Sequence, residues 1–311
     1  MTPADVQRVL VVGAGTMGHG LAQVFAAGGY SVHLTDVDPG RLDLAVAQIR
    51  ANLEVLAEAG AIADGEIAPI LERIQTGTAI EESPGDADLA IEAVPEDPGI
   101  KREVFQRLDR RCPAPTILLS NTSCLNVFEI APEVRPERFC IAHWYAPPYI
   151  LPLVDVVRGP GTSTETIDTV VDLLRGLGKK PVVLERFFPG YLANRLQVAL
   201  SHEVSYLLDN GYATAEQVDE AATASLAPRM MALGLVKRMD YGGLDVCLAI
   251  QKNMVGEIGH DPEFREMRER IDRGHLGVKT GKGFYDYADR TTTELTRERD
   301  LALLKILGSI S

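Results

Sequence analysis

The stretch Arg8-Val9-Leu10-Val11-Val12-Gly13-Ala14-Gly15-Thr16-Met17-Gly18 decides the fold. Its first five residues, apolar after Arg8, read as a short strand buried on both faces of a parallel sheet. They run directly into a Gly-x-Gly-x-x-Gly turn, and Leu21, Val24 and Phe25 then recur at helical spacing. In a strand-to-helix turn of this kind Gly13 permits the tight bend, Gly15 lets backbone approach a pyrophosphate, and Gly18 lets helix and strand pack closely. The N–H groups that open the helix, with Thr16 and Met17 in the turn, and the helix dipole favour phosphate there.

Outward from this turn, residues 30–36 supply a second strand that ends in Asp36, followed by Pro39-Gly40 and a helix over about 41–56. The three elements form a βαβ unit. A carboxylate at Asp36 can accept hydrogen bonds from both ribose hydroxyls of an adenosine and would repel a 2′-phosphate. No Arg stands at 37–40 to offset that repulsion, so the reading favours NAD over NADP. Further strands are expected at 89–94, 116–120, 138–143, 151–157 and 181–184, with helical patterns between most of them. This alternation predicts a doubly wound α/β sheet of the Rossmann type. After Phe188-Pro189-Gly190 the chain reads as helical, with amphipathic stretches at 191–209, 214–225 and 241–257. The expected division is an NAD-binding domain over 1–188 and an all-helical substrate and dimerisation domain over 189–311.

The chain has 311 residues, 24% of them charged, and a formal net charge of −13. That balance argues against nucleic acid or an anionic membrane surface as partner and leaves a small molecule. No signal-peptide pattern opens the sequence and no apolar run approaches the ~20 residues that span a bilayer, so a cytoplasmic location is expected. Cys112, Cys124, Cys140 and Cys247 show no metal-ligand spacing and read mostly as buried thiols, Cys124 adjoining a candidate active-site segment. His19, His33, His202, His260 and His275 form no HxxxH set, and no metal is expected.

His143 closes one expected strand, and Asp155 follows in the next. Histidine, with an unperturbed pKa of about 6.5, can take or return the proton of a hydroxyl as hydride leaves or joins carbon. On their own the two read more readily as a hydrogen-bonded core histidine and a turn-capping aspartate.

Longer blocks change that reading. They are the glycine turn, Ser120-Asn121-Thr122-Ser123, Phe139-Cys140-Ile141-Ala142-His143-Trp144-Tyr145-Ala146-Pro147-Pro148, Pro152-Leu153-Val154-Asp155-Val156-Val157, Pro189-Gly190-Tyr191-Leu192-Ala193-Asn194-Arg195-Leu196, and Gly277-Val278-Lys279-Thr280-Gly281-Lys282-Gly283-Phe284-Tyr285-Asp286-Tyr287. In this order they resemble the L-3-hydroxyacyl-CoA dehydrogenase family over nearly the whole chain. The resemblance implies that His143 is the general acid/base and that Asp155, where the family has glutamate, bonds its far ring nitrogen. It also implies that Ser123 and Asn194 bond the substrate oxygen or carbonyl, that Glu96 and Lys101 contact the nicotinamide half of NAD, and that the chain forms a homodimer. The block at 277–287 reads as a structural signature rather than a phosphate loop. Ala146 departs from the family, which carries asparagine there.

The implied activity is NAD-dependent interconversion of a hydroxyacyl substrate, a short-chain L-3-hydroxyacyl-CoA, and its keto form. Two alternatives stay open. One is a small hydroxy acid or alcohol without CoA, as for relatives acting on carnitine, gulonate or pyridoxine-breakdown products; the other is a crystallin-like NAD-binding protein without turnover. The stretch 48–75 bears on the choice, because the resemblance implies that many CoA-using relatives carry lysines there, and this chain has only Arg50 and Arg73 against Glu54, Glu58, Asp64, Glu66 and Glu72.

Overall fold

The computed structural model describes residues 2–258 and 264–308; His260 lies outside them. Two compact units result, one of residues 1–192 with 297–311 and one of 193–296.

The first unit is built on eight strands: β1 (Arg8–Val12), β2 (Ser31–Thr35), β3 (Ile74–Gly77), β4 (Leu89–Glu92), β5 (Ile117–Ser120), β6 (Phe139–Trp144), β7 (Leu153–Arg158) and β8 (Lys180–Leu184). They lie in the order β3-β2-β1-β4-β5-β6-β7-β8. Every neighbouring pair is parallel except β6 and β7, which run antiparallel. The helices are α1 (Gly18–Ala27), α2 (Pro39–Glu58), α3 (Ile67–Glu72), α4 (Pro98–Arg111), α5 (Val127–Ile130) and α6 (Thr164–Gly176). The N-termini of α2 and α4 are set by the same device: Asp38 accepts from Gly40 N–H and Asp97 from Gly99 N–H, each with a proline next in the chain. Fixed φ and a missing donor suit proline to a first helical position.

Period-two alternation sends the strands' side chains into two separate cores. Val9, Val11, Leu89, Ile91, Cys140, Ala142 and Trp144 join one. Leu10, Val12, Ala90, Leu118, Phe139, Ile141 and Val157 join the other. Continued by two residues, that second face brings Glu92, Ser120, His143 and Asp155 onto one side of the sheet, and all four are buried. The first face also receives the C-terminal helix, whose Leu303, Leu304 and Leu307 pack against it. Tyr149 donates to Asp300 Oδ2 at 2.6 Å and Arg297 pairs with Glu58. These contacts are why 297–308 group with the sheet, although a single cut near 188 would place them with the helices.

The second unit holds α7 (Ala193–Asp209), α8 (Ala215–Ala221), α9 (Ala227–Leu233), α10 (Val236–Gly242), α11 (Leu244–Met254) and α12 (Arg265–Asp272); α13 (Thr292–Gly308) begins here and ends in the first unit. A π-helical turn at Ala222–Leu226 joins α8 to α9. Asp209 caps α12 by accepting the N–H groups of Arg265 and Glu266, both at 2.9 Å. The segment 277–287 folds back on itself through Gly277–Lys282 and Lys282–Asp286 bridges. No helix of the described residues is long and apolar enough to cross a membrane.

Candidate active site

Because β1, β2, β4, β5 and β6 are parallel, the segments that follow them all emerge at one edge of the sheet, the edge at which open α/β sheets bind ligands. β7 runs the other way and begins there. Gly13, Asp36, Glu96, Ser123, His143 and Asp155 thus belong to one rim of the first unit.

The glycine turn has the geometry of a phosphate cradle. Gly13 has φ +99°, and a Cβ there would stand 2.7 Å from the carbonyl oxygen of Ala93. A Cβ on Gly18 would fall inside the carbonyl of Gly13, whereas one on Gly15 would meet nothing within 4 Å. Two glycines are therefore required by the fold itself, and the third leaves open room over the helix start. Asp36 is tied to this turn, its Oδ2 accepting the Ala14 N–H at 2.8 Å and its Oδ1 the Asp38 N–H at 3.1 Å. A half-exposed carboxylate so fixed beside the turn fits a ribose diol.

Behind the next loop lies a buried charge cluster. Lys101, 1% exposed, donates to both carboxylate oxygens of Glu92 at 2.9 Å and pairs with Glu96 at 3.1 Å. Ser120 Oγ also donates to Glu92. Glu96 Oε1 accepts from Thr122 Oγ1 at 2.5 Å, Ser123 N at 2.9 Å and Cys124 N at 3.1 Å. Burial works against ionisation of Glu96, but the Thr122 hydroxyl, the Lys101 ammonium and the Cys124 N–H outweigh it and hold the carboxyl down at about 2. Lys101 is thus buried with its ammonium shared between Glu92 and Glu96, and Glu96 shapes the loop that carries Ser123. The Cys124 thiol is pushed up by partial burial and by the Glu96 carboxylate, the opposite of what activates a nucleophile.

Ser123 Oγ lies 3.2 Å from His143 Nε2. On the other side of the ring, register pairs His143 with Asp155 across β6 and β7, yet Nδ1 is 3.8 Å from Asp155 Oδ2. That is an ion-pair distance, too long for a hydrogen bond. Oδ2 instead accepts the hydroxyl of Tyr145 at 2.6 Å. The imidazole sits against two aromatic rings, Tyr145 with centroids 4.6 Å apart and Tyr191 at 5.1 Å. Tyr191 is fully buried in left-handed backbone at φ +45° and donates to the Thr122 carbonyl at 2.9 Å. The Asn121 side-chain carbonyl accepts the Trp144 N–H, fixing the end of β6.

Ser123, His143 and Asp155 are thereby brought together. Asn194 lies in the first turn of α7, in the second unit. Glu92 and Tyr191 were not singled out from sequence as site groups. A carboxylate inside the otherwise apolar run Leu89-Ala90-Ile91-Glu92-Ala93-Val94 was the available signal for Glu92.

A dinucleotide cradle beside a serine–histidine–carboxylate set defines the class, an NAD-dependent oxidoreductase acting on CH–OH groups. Residues 8–187 match the NAD binding domain of 3-hydroxyacyl-CoA dehydrogenase and 190–287 match its C-terminal domain. The chain belongs to the 3-hydroxyacyl-CoA dehydrogenase family. It is 36% identical to a probable 3-hydroxybutyryl-CoA dehydrogenase of Bacillus subtilis over 93% of this chain and 100% of that protein. Among solved structures it resembles 5-formyl-3-hydroxy-2-methylpyridine 4-carboxylic acid 5-dehydrogenase, described as an NAD+-dependent dismutase, with TM-score 0.88, 28% identity and 98% of each chain covered. The (S)-3-hydroxybutyryl-CoA dehydrogenase of Ralstonia eutropha gives TM-score 0.70 at 29% identity, covering 91% of this chain and 99% of that one.

Proposed function

We propose that the chain is a dehydrogenase of a small hydroxy acid or alcohol carrying no coenzyme A, with His143 as general acid/base. The observation that carries the chemistry is Ser123 Oγ set 3.2 Å from His143 Nε2, with the buried Asp155 carboxylate on the far side of the ring. His143 Nε2 takes the hydroxyl proton and returns it in the reverse direction, a step for which a placed base contributes about 10²–10⁴ in rate. Bound NAD supplies the acceptor for the hydride. Ser123 donates to the substrate oxygen, and Asp155 stabilises the imidazolium. Asn194 keeps the amide role that the family resemblance implies. Gly13, Gly15, Thr16, Met17 and Gly18 cradle the pyrophosphate, Asp36 accepts from the ribose, and Glu96, held by Lys101, lies toward the nicotinamide half.

The segment 48–75 favours a substrate without CoA. Of its two cations Arg73 donates to the Ala26 carbonyl, which leaves Arg50 as the exposed cation of a segment with five carboxylates, one of which, Glu58, pairs with Arg297 of the C-terminal helix. A phosphate-rich ligand needs the opposite field. The fuller structural likeness to the pyridine-carboxylate enzyme points the same way. A short 3-hydroxyacyl-CoA is the second reading, favoured by identity along the entire Bacillus subtilis relative. NADH formation from L-3-hydroxybutyryl-CoA, measured beside free L-3-hydroxybutyrate, L-carnitine, L-gulonate and aromatic alcohols, separates the two. Turnover confined to the CoA ester overturns the first reading. No turnover of any compound by protein that binds NAD would favour a crystallin-like role.

The enzyme works as a homodimer in this reading. Val236, Tyr241, Leu244, Val246 and Ile250 are exposed along α10 and α11, and apolar side chains of this kind are what a self-association face would cover. Sedimentation as a monomer at micromolar concentration contradicts it. A cytoplasmic location accords with the four unpaired cysteines.

A further inference from the structure

Three buried atoms beside the proposed base define an unusual arrangement. Asp155 is fully buried, and only one of its oxygens is engaged. That oxygen, Oδ2, accepts the Tyr145 hydroxyl at 2.6 Å while standing 3.8 Å from His143 Nδ1. Among the described residues, Asp155 Oδ1 and His143 Nδ1 have no hydrogen-bond partner. A buried carboxylate without donors is costly, so the phenol fixes where this one sits. The same Tyr145 lays its ring edge-on against the imidazole, with an interplanar angle of 77°. One side chain therefore touches both members of the pair, the carboxylate through its oxygen and the base through its ring.

We propose that Tyr145 is a positioning residue for proton transfer. It holds the short Asp155 carboxylate toward Nδ1, so that the ring keeps its proton on Nδ1 and presents Nε2 as the acceptor. The inference rests on His143 being the base. The physical logic is one of reach. Aspartate leaves a gap of 3.8 Å where a hydrogen bond would need about 2.9 Å. A glutamate, longer by one bond of about 1.5 Å, could close that gap, but it would have to share its space with the Tyr145 hydroxyl that now bonds the carboxylate. Around His143 the Tyr145 phenol and the Asp155 carboxylate face Ser123 across the ring and the Tyr191 ring at its side.

The test is a double-substitution cycle of Tyr145→Phe, Asp155→Glu and the two together, read by imidazole nitrogen NMR on nitrogen-labelled, NAD-saturated protein and by kcat with any compound of the substrate panel that turns over. Tyr145→Phe should turn a single Nδ1–H tautomer of His143 into a mixture and lower kcat about tenfold, with KM for NAD unchanged. Asp155→Glu alone should lower kcat at least as much, because the longer carboxylate must share its space with the phenol. The double variant should regain the Nδ1–H tautomer and a kcat within about threefold of the parent. A simple structural role predicts additive losses and no rescue. Additive losses, or a parental tautomer in Tyr145→Phe, overturn the proposal; if Asp155→Glu does not fold, the tautomer in Tyr145→Phe decides alone. His143→Gln separates the two levels. If it keeps parental turnover, the base assignment falls and this inference with it; if it is inactive and the cycle is additive, only the role of Tyr145 falls.

Discussion

Lys101 Nζ lies 2.9 Å from both carboxylate oxygens of Glu92, with the lysine 1% exposed and the glutamate fully buried. Removing one partner of such a pair leaves an uncompensated charge in the interior, which costs about 3–5 kcal/mol. Lys101→Met should therefore lower Tm by roughly 10 °C, at about 2–4 °C per kcal/mol for a domain of this size. Differential scanning calorimetry of the two proteins checks this. An unchanged Tm with a raised KM for NAD would return Lys101 to a direct cofactor contact.

Glu96 gives a pH dependence with a definite sign. Its carboxyl is held at about 2 in the folded chain against a reference of 4.5. A depressed carboxylate stabilises the fold fully above the unfolded value, and that contribution is lost as pH falls from about 4.5 toward 2. Glu96→Gln should lower stability at pH 7 and flatten the decline between those limits. Urea unfolding at pH 7, 4 and 3 measures it; parallel curves for the two proteins would contradict the assignment.

Much of the first unit was legible because its strands are uninterrupted apolar runs ending in groups that the sheet edge uses. β3 escaped because Ile74-Gln75-Thr76-Gly77 lies at the sheet edge and is only partly buried, so it carries no apolar run. The antiparallel turn from β6 to β7 was also hidden: residues 145–152 hold three prolines and no helix or hairpin signal, yet it is this reversal that pairs His143 with Asp155. The family resemblance implied a dyad; only the structure shows that Asp155 falls short of a hydrogen bond and that Tyr145 meets it. The inward turn of Lys101 had a readable signal, since Lys101, Val104, Phe105 and Leu108 share one face of α4 and all are buried. The charged opening of that helix, Pro95-Glu96-Asp97-Pro98-Gly99-Ile100-Lys101, masked it. The 292–308 helix was read as part of the helical half, for local amphipathicity does not say which surface a helix will cover.

That helix rests on a buried polar chain. Tyr149 donates to Asp300 at 2.6 Å, and its hydroxyl lies 3.2 Å from Asn52 Oδ1, which also accepts from Gln48. Asp300 is 1% exposed and is also bonded by Arg299. Tyr149→Phe leaves a buried carboxylate short of a donor, which costs about 1–3 kcal/mol. The expected outcome is a lower urea midpoint with an unchanged KM for NAD, because none of Tyr149, Asn52, Gln48 and Asp300 is among the groups assigned to the cofactor. A parental midpoint would mean that α13 contributes little to the stability of the first unit.

The glycine turn separates fold from cofactor most cleanly. A Cβ on Gly18 would stand 1.6 Å from the carbonyl oxygen of Gly13, and Gly13 and Gly18 both belong to the backbone turn that joins β1 to α1. Neither can give way, so Gly18→Ala should fail to fold or lose several kcal/mol of stability, by the overpacking that forces backbone to shift. Gly15→Ala meets nothing within 4 Å, and Gly15 has no positive φ to strain. Its methyl should leave Tm within a degree or two while projecting into the space over the helix start, where the pyrophosphate must approach backbone N–H groups. Loss of one charge-assisted contact there, about 2 kcal/mol, weakens NAD roughly thirtyfold. Titration calorimetry with NAD on a Gly15→Ala protein of parental Tm reads this directly. Parental affinity would show that the open space above Gly15 is not where the phosphates lie, and the cradle would have to be sought elsewhere along the same rim.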